Sequence, residues 1–187
     1  MDLLSALDAA TEEFGRRLAL VDDDSWTRST PCPDWDVHYL AAHVVGGNRF
    51  AVLILGGMSA SDAVGQVMSV VQLGADPWTT WATTSAAQVK AFRAETVLER
   101  RIDHPLGEMT VRQFLQFRVF DMTLHAWDLA RSLGADEQLG PELVTAVLAI
   151  IHNGPSGMGF GISALGVTDE TASPQARLLD LTGRAAE

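Results

Sequence analysis

Apolar residues recur along this chain at three- and four-residue spacing, segment after segment, and nowhere alternate one by one over the length of a strand. That period puts hydrophobic side chains on one face of an α-helix, whereas a half-buried strand needs period two. Leu4, Leu7, Phe14 and Leu18 mark such a face within 2–20, which ends in the acidic run Val21-Asp22-Asp23-Asp24. Ser29-Thr30-Pro31-Cys32-Pro33-Asp34 cannot be helical throughout, because proline lacks the amide donor and pushes its predecessor out of the helical region. Asp34 or Asp36 can cap a second helix that runs to about Leu55, with Leu40, Val44, Val45, Ala51, Val52 and Leu55 facing a core, and Gly56-Gly57 ends it. A weaker helix is expected over 61–74, interrupted by Gly65. Asp76-Pro77 starts a cleaner one, extending to about Leu98.

Segment 100–109 holds a proline and a glycine and no helical stripe, so it reads as a loop or short extended piece. The best-delimited helix follows. Thr110 and Gln113 form a capping-box pattern, Phe114, Phe117, Val119, Phe120, Leu124 and Leu129 are apolar, and Gly134 closes it. Gly140-Pro141 opens a helix to about Ile151, 153–172 reads as glycine-rich and irregular, and Ser173-Pro174 starts a last helix of about ten residues. Four principal helices with shorter ones added predict an all-α bundle. With 187 residues and no repeat, low-complexity tract or linker, 1–187 is read as a single domain.

Charge narrows the partners. Thirteen basic against 24 acidic residues give a net charge of −11, and Lys90 is the only lysine. Such a surface repels phosphate backbones and anionic lipid, so neither nucleic acid nor a membrane is an expected partner. Ala51–Met58, the longest nearly apolar stretch, is too short to span a bilayer. The acidic N-terminal segment does not resemble a signal peptide, and a cytoplasmic location is expected. A single cysteine, Cys32, excludes an intramolecular disulfide framework and a cysteine-based zinc knuckle.

Five histidines are the candidates for chemistry. Asp121 lies four residues before His125 on one helix, so both project from one face and can hold an ion from two sides, or the carboxylate can simply orient the ring. His43, on the second long helix, can supply a third ligand from a neighbouring helix, leaving an open position for water or substrate. The plainer reading is an ordinary Asp121–His125 ion pair, worth about 0.3–0.5 kcal/mol at a surface. His38, His104 and His152 read as surface or structural residues. Cys32, between prolines and without an adjacent basic residue, does not read as a catalytic thiol. Ser156 lacks the strand and helix of a nucleophile elbow, and the glycines of 154–166 lack the spacing of a phosphate loop. Trp35, Trp78, Trp81 and Trp127 read as core or pocket walls.

Three segments together carry a resemblance: Thr30-Pro31-Cys32-Pro33-Asp34-Trp35-Asp36 followed by Leu40-Ala41-Ala42-His43-Val44-Val45-Gly46-Gly47-Asn48; Asp121-Met122-Thr123-Leu124-His125-Ala126-Trp127-Asp128-Leu129-Ala130; and Ser173-Pro174-Gln175-Ala176-Arg177-Leu178-Leu179. The sequence resembles the metal-binding proteins related to the N-terminal domain of mycothiol-dependent maleylpyruvate isomerase, within the DinB/YfiT-like superfamily. The resemblance implies a DinB-like four-helix bundle with additional short helices. It also implies a divalent metal held by His43, Asp121 and His125, and a possible homodimer. In the isomerase the carboxylate is a glutamate, one methylene longer than Asp121. The isomerase also has a C-terminal domain that contributes to its active site and has no counterpart in these 187 residues, so maleylpyruvate isomerisation itself is not the expected reaction.

The leading expectation is a metalloenzyme that activates a low-molecular-weight thiol, mycothiol-like, or water, for transfer to or isomerisation of a small electrophile. Zinc or nickel suits two imidazoles and a carboxylate. Asp128 or Asn48 would orient ligands or substrate, Trp127 would wall the pocket, and Arg49 would receive an anionic group or form a surface salt bridge. No catalytic residue beyond the ligands can be named. The alternative is a non-catalytic, metal-stabilised helical protein. A two-histidine, one-carboxylate iron site is a third reading, which oxygen uptake with ferrous ion would reveal.

Overall fold

A computed structural model describes residues 1–70, 72–94, 98–153, 163–169 and 171–185. Four long helices form a bundle: α1 (Leu3–Leu18), α2 (Val37–Leu55), α4 (Pro77–Ala94) and α5 (Val111–Leu133). Each packs on two others, α1 on α5 and α4, α2 on α4 and α5. The short α3 (Ala60–Met68) lies on α2, and α6 (Pro141–Asn153) and α7 (Pro174–Leu181) close the side of α5 and α1. The strands are β1 (Arg101–Ile102) and β2 (Met109–Thr110), paired antiparallel with Arg101 opposite Thr110. The expected short extended piece at 100–109 is this ribbon. It brings the chain into the capping box of α5, where Thr110 accepts from the Gln113 amide and Gln113 accepts from the Thr110 amide.

Where sequence and structure differ, the ends of helices account for it. The third helix stops at Met68, short of residue 74, and Gly74 takes a left-handed φ of 63° that no helix continues through. Asp76 caps α4 through the Thr79 amide as expected, and the described part of that helix ends at Ala94. Gly134 ends α5 with φ 63°. Ser156 and the first glycines of 154–166 lie outside the described residues.

The core runs down the bundle axis through Leu7, Phe14, Leu40, Val44, Phe92, Phe114, Leu115 and Leu129, all buried. Along its middle α5 changes character: Arg118, Asp121, His125 and Asp128, at successive three- and four-residue steps, are buried and polar. A buried polar stripe is unfavourable unless each group is partnered. That requirement defines the site.

Candidate metal centre

Three elements deliver the polar groups. α5 supplies Arg118, Asp121, His125 and Asp128 along one face, α2 supplies His43 and Asn48, and the loop before α2 lays Cys32 and Trp35 across them. The loop is pinched shut by a bridge between Ser29 and Asp36 and by the Thr30 hydroxyl, which donates to the Trp35 carbonyl. Asp34 takes a positive φ of 63°, one that aspartate tolerates better than most residues, and so turns the chain into the cap of α2. The Asp36 carboxylate then accepts from the Tyr39 amide at 2.7 Å and fixes the start of α2.

One oxygen of Asp121 sits at the focus. Its Oδ1 lies 3.2 Å from His43 Nε2 and 3.3 Å from His125 Nε2. Two ligands at about 2.0–2.1 Å from a tetrahedral ion lie roughly 3.3 Å apart, so these separations fit an ion held between them. Arg118 Nη1 donates to Asp121 Oδ2 at 2.7 Å, which leaves Oδ1 as the oxygen that faces the imidazoles. His125 Nδ1 donates to Asp128 Oδ2 at 2.9 Å, so its Nε2 is turned to Asp121. Arg184 donates to both oxygens of Asp128, at 2.8 and 2.7 Å. The Trp35 ring stands 4.8 Å from that of His43 and 5.5 Å from that of His125. A cavity of about 500 Å³ opens on the cluster between this loop and Arg184.

Electrostatics follow from the packing. Burial works against the Asp121 charge, but His43 and His125 outweigh it and hold the carboxyl well below its usual range. For His125, burial opposes protonation, yet Asp121 and Asp128 overcome it and raise the ring well above its ordinary value. Asp128 is likewise held low, against its burial, by His125 and Arg184. Each shift comes from a partner of opposite charge in a water-poor place.

Of the residues singled out from sequence, His43, Asp121 and His125 are brought together, their ligating atoms within 4.8 Å of one another. Asp128 orients His125, as expected of it. Asn48 reaches the cluster only through Arg118, whose Nη2 donates to its Oδ1 at 3.0 Å. Trp127 does not line the cavity around the cluster; it is buried, with the Arg131 guanidinium 4.8 Å over its ring. Arg49 makes no salt bridge among the described residues, and its Nη1 donates to the Gln72 carbonyl and side-chain oxygen. His38 and His152 are exposed. His104 is buried among Phe50, Phe114 and Phe117.

Cys32, which has no basic neighbour in the sequence, is brought against α5 by the fold. Its Sγ lies 3.4 Å from Asp128 Oδ2 and 3.9 Å from His125 Nδ1, and the three form a second group with metal-ligand spacing. Arg118 and Arg184 are part of the site that the sequence reading does not include. Arg118 lies one turn before Asp121, a spacing that does mark an ion pair on a helix.

The fold and this cluster define a class: a DinB-like helical bundle with two histidines and an aspartate converging between two of its long helices. The chain belongs to the mycothiol maleylpyruvate isomerase N-terminal domain family, whose sequence model matches residues 7–130. Two uncharacterized proteins of Mycobacterium tuberculosis, from strains CDC 1551 and H37Rv, are each 34% identical over 153 residues, covering 80% of this chain and 77% of theirs. The crystal structure of the mycothiol-dependent maleylpyruvate isomerase, as a histidine-to-alanine mutant, superposes with a TM-score of 0.60 at 20% identity, over 81% of this chain and 69% of that one. A DinB-like protein from Bacillus subtilis superposes at 0.58 and 17% identity, over 74% of this chain and 95% of its own. These likenesses show the fold. No helix among the described residues is long and apolar enough to cross a membrane.

Proposed function

We propose that His43, Asp121 and His125 hold one divalent ion, zinc or nickel, and that the protein uses it on a low-molecular-weight thiol, mycothiol-like, or on water, in transfer to or isomerisation of a small electrophile. The observation that carries the reading is the single oxygen, Asp121 Oδ1, facing both imidazole Nε2 atoms at 3.2 and 3.3 Å. A bound ion of this kind lowers the pKa of a thiol or water and supplies a nucleophile near neutral pH. The protein does the rest. Asp128 holds the His125 ring in the tautomer that keeps Nε2 available, and Arg184 keeps Asp128 ionised. Arg118 occupies the second oxygen of Asp121 and so favours a one-oxygen ligand. His43, with 39% of its side chain exposed, lies on the open side where thiol and electrophile enter, and Trp35 covers the ring pair.

The thiol rests on the family and on the neighbouring isomerase, which is described as mycothiol-dependent. The same proposal takes residues 1–187 as one domain, working in the cytoplasm and possible as a homodimer. A second reading, a non-catalytic protein stabilised by its ion, is favoured by the burial of Asp121 and His125. Elemental analysis of untagged protein beside His125→Ala tests the site: near one divalent ion per chain, lost in the variant, supports it. No ion in either, even after reconstitution with zinc and nickel, overturns it. Thiol consumption with an electrophile panel then separates the two readings, since the non-catalytic protein gives no turnover.

A further inference from the structure

A second cavity, of about 400 Å³, lies on the other side of His43, between α2, α3 and the start of α5. It shares His43 and Phe117 with the cavity around the cluster. Its walls are apolar: Phe50, Phe114 and Phe117 on the inside, Val64, Val67 and Met68 towards the mouth. Met68 is 78% exposed there, a large apolar side chain left in water at the rim.

Two polar features set what this cavity accepts. Arg118 lines it, but all three guanidinium nitrogens are committed, to Gln88, to Asp121, and to Asn48 with the Val44 carbonyl. Arg49 does not line this cavity; its Nη1 donates to the Gln72 carbonyl and side-chain oxygen. Arg118 is therefore not free to pair with a carboxylate or phosphate. His104 is different. It is 8% exposed and its Nδ1 accepts from the Leu106 amide, so in the neutral ring Nε2 carries the hydrogen and has no protein partner among the described residues. Burial, with Arg118 adding to it against Asp103, pushes this histidine down and keeps it neutral. An unpartnered N–H donor on a mostly apolar wall favours ligands that carry an acceptor.

We infer that this cavity binds an uncharged apolar molecule bearing a hydrogen-bond acceptor, its oxygen on His104 and its reactive end towards His43. The molecule is the electrophile of the proposed reaction, a neutral carbonyl compound of aromatic or aliphatic body and not a dicarboxylate. Its identity as substrate rests on the metal reading above; the ligand class does not.

The probe is a neutral acyl-dimethylaminonaphthalene dye, a ketone of suitable size whose fluorescence rises in apolar surroundings. It is titrated into the full chain, metal-free and again after zinc loading. Saturable binding of one dye per chain is expected in both forms, and a carboxylate-bearing analogue should bind at least about tenfold more weakly. Val67→Trp, which fills the cavity, should weaken the dye by about tenfold or more. His104→Phe, which keeps the ring packing and removes the donor, should weaken it by about five- to tenfold. Absence of saturable binding, an anionic analogue that binds as well, or indifference to Val67→Trp overturns the cavity inference. An unchanged Kd for His104→Phe overturns the role of its donor. Dye binding without any metal uptake leaves the cavity and removes the metal reading; metal uptake without dye binding does the reverse.

Discussion

Gly47→Ala is a substitution whose sign the structure reverses. Alanine in a helix interior is ordinarily more stable than glycine by about 1 kcal/mol. At position 47, however, a Cβ would stand 2.2 Å from Arg118 Nη1 and 2.6 Å from its Cζ. Real contacts keep 3.0 Å or more, so the guanidinium must retreat by at least the 0.8 Å difference. A long side chain usually swings aside at little cost, but Arg118 is 2% exposed and held from four directions. A bond of 2.7–3.0 Å lengthened by that amount is no longer a hydrogen bond. Breaking a buried ion pair costs about 3–5 kcal/mol, and the helix preference returns about 1, leaving a net loss of roughly 2–4 kcal/mol. At about 2–4 °C per kcal/mol the melting temperature falls by roughly 4–16 °C. Gly65→Ala in α3 is the control: nothing lies within 4 Å of its Cβ, and a gain of about 0.5–1 kcal/mol is expected. Urea denaturation of metal-free protein measures both. If Gly47→Ala matches or exceeds the parent protein, the argument that Arg118 is locked against α2 is wrong.

Four other outcomes are expected. Asp128→Asn, which weakens the hold on His125 Nδ1, should lower zinc affinity by about 10- to 100-fold in competition with a chromogenic chelator; an unchanged affinity removes the orienting role. Metal-free protein should show a stability maximum at mildly acid pH. The His125 contribution is full below 6.5 and is lost as pH rises through its raised folded value, while that of Asp121 is full above 3.8 and is lost as pH falls through its depressed one. The stabilisation added by zinc should instead grow with pH, because the ion competes with protons; thermal melts with chelator or zinc from about pH 4 to 9 distinguish the two profiles. Thr110→Ala should cost about 1 kcal/mol by urea melts, through loss of the α5 capping box, with no effect on metal affinity.

What was legible in the sequence was local. The capping box at Thr110 and Gln113, the stop at Gly134 and the Asp76-Pro77 start are written within one helical turn each, and they placed α4 and α5. The Asp121–His125 pair followed from a four-residue step. The approach of His43, 78 positions from Asp121, is not a local property: helical pattern offers His43 as a possible third ligand, but only the family resemblance implies that it meets Asp121. Arg118 shows why burial is hard to read: an arginine among Phe114, Phe117 and Val119 looks like the polar edge of a helix until Gly47 leaves room for it on the facing one. Cys32 was read by its sequence neighbours, two prolines, whereas its chemical neighbours come from α5. Arg184 follows α7 in a segment without periodicity, so only the path of the chain could bring it to Asp128.

The clamp between Arg184 and Asp128 also sets an order of events during synthesis. The two residues are 56 positions apart, and at about 5–20 residues per second a ribosome needs roughly 3–11 s to travel from one to the other. Through that interval the carboxylate behind His125 has no guanidinium to balance it, and the last turns of α5 cannot be buried in their final form. The His125 ring therefore takes the pose described only once Arg184 has been made. An ion captured earlier by the nascent chain would meet a different and looser set of donors.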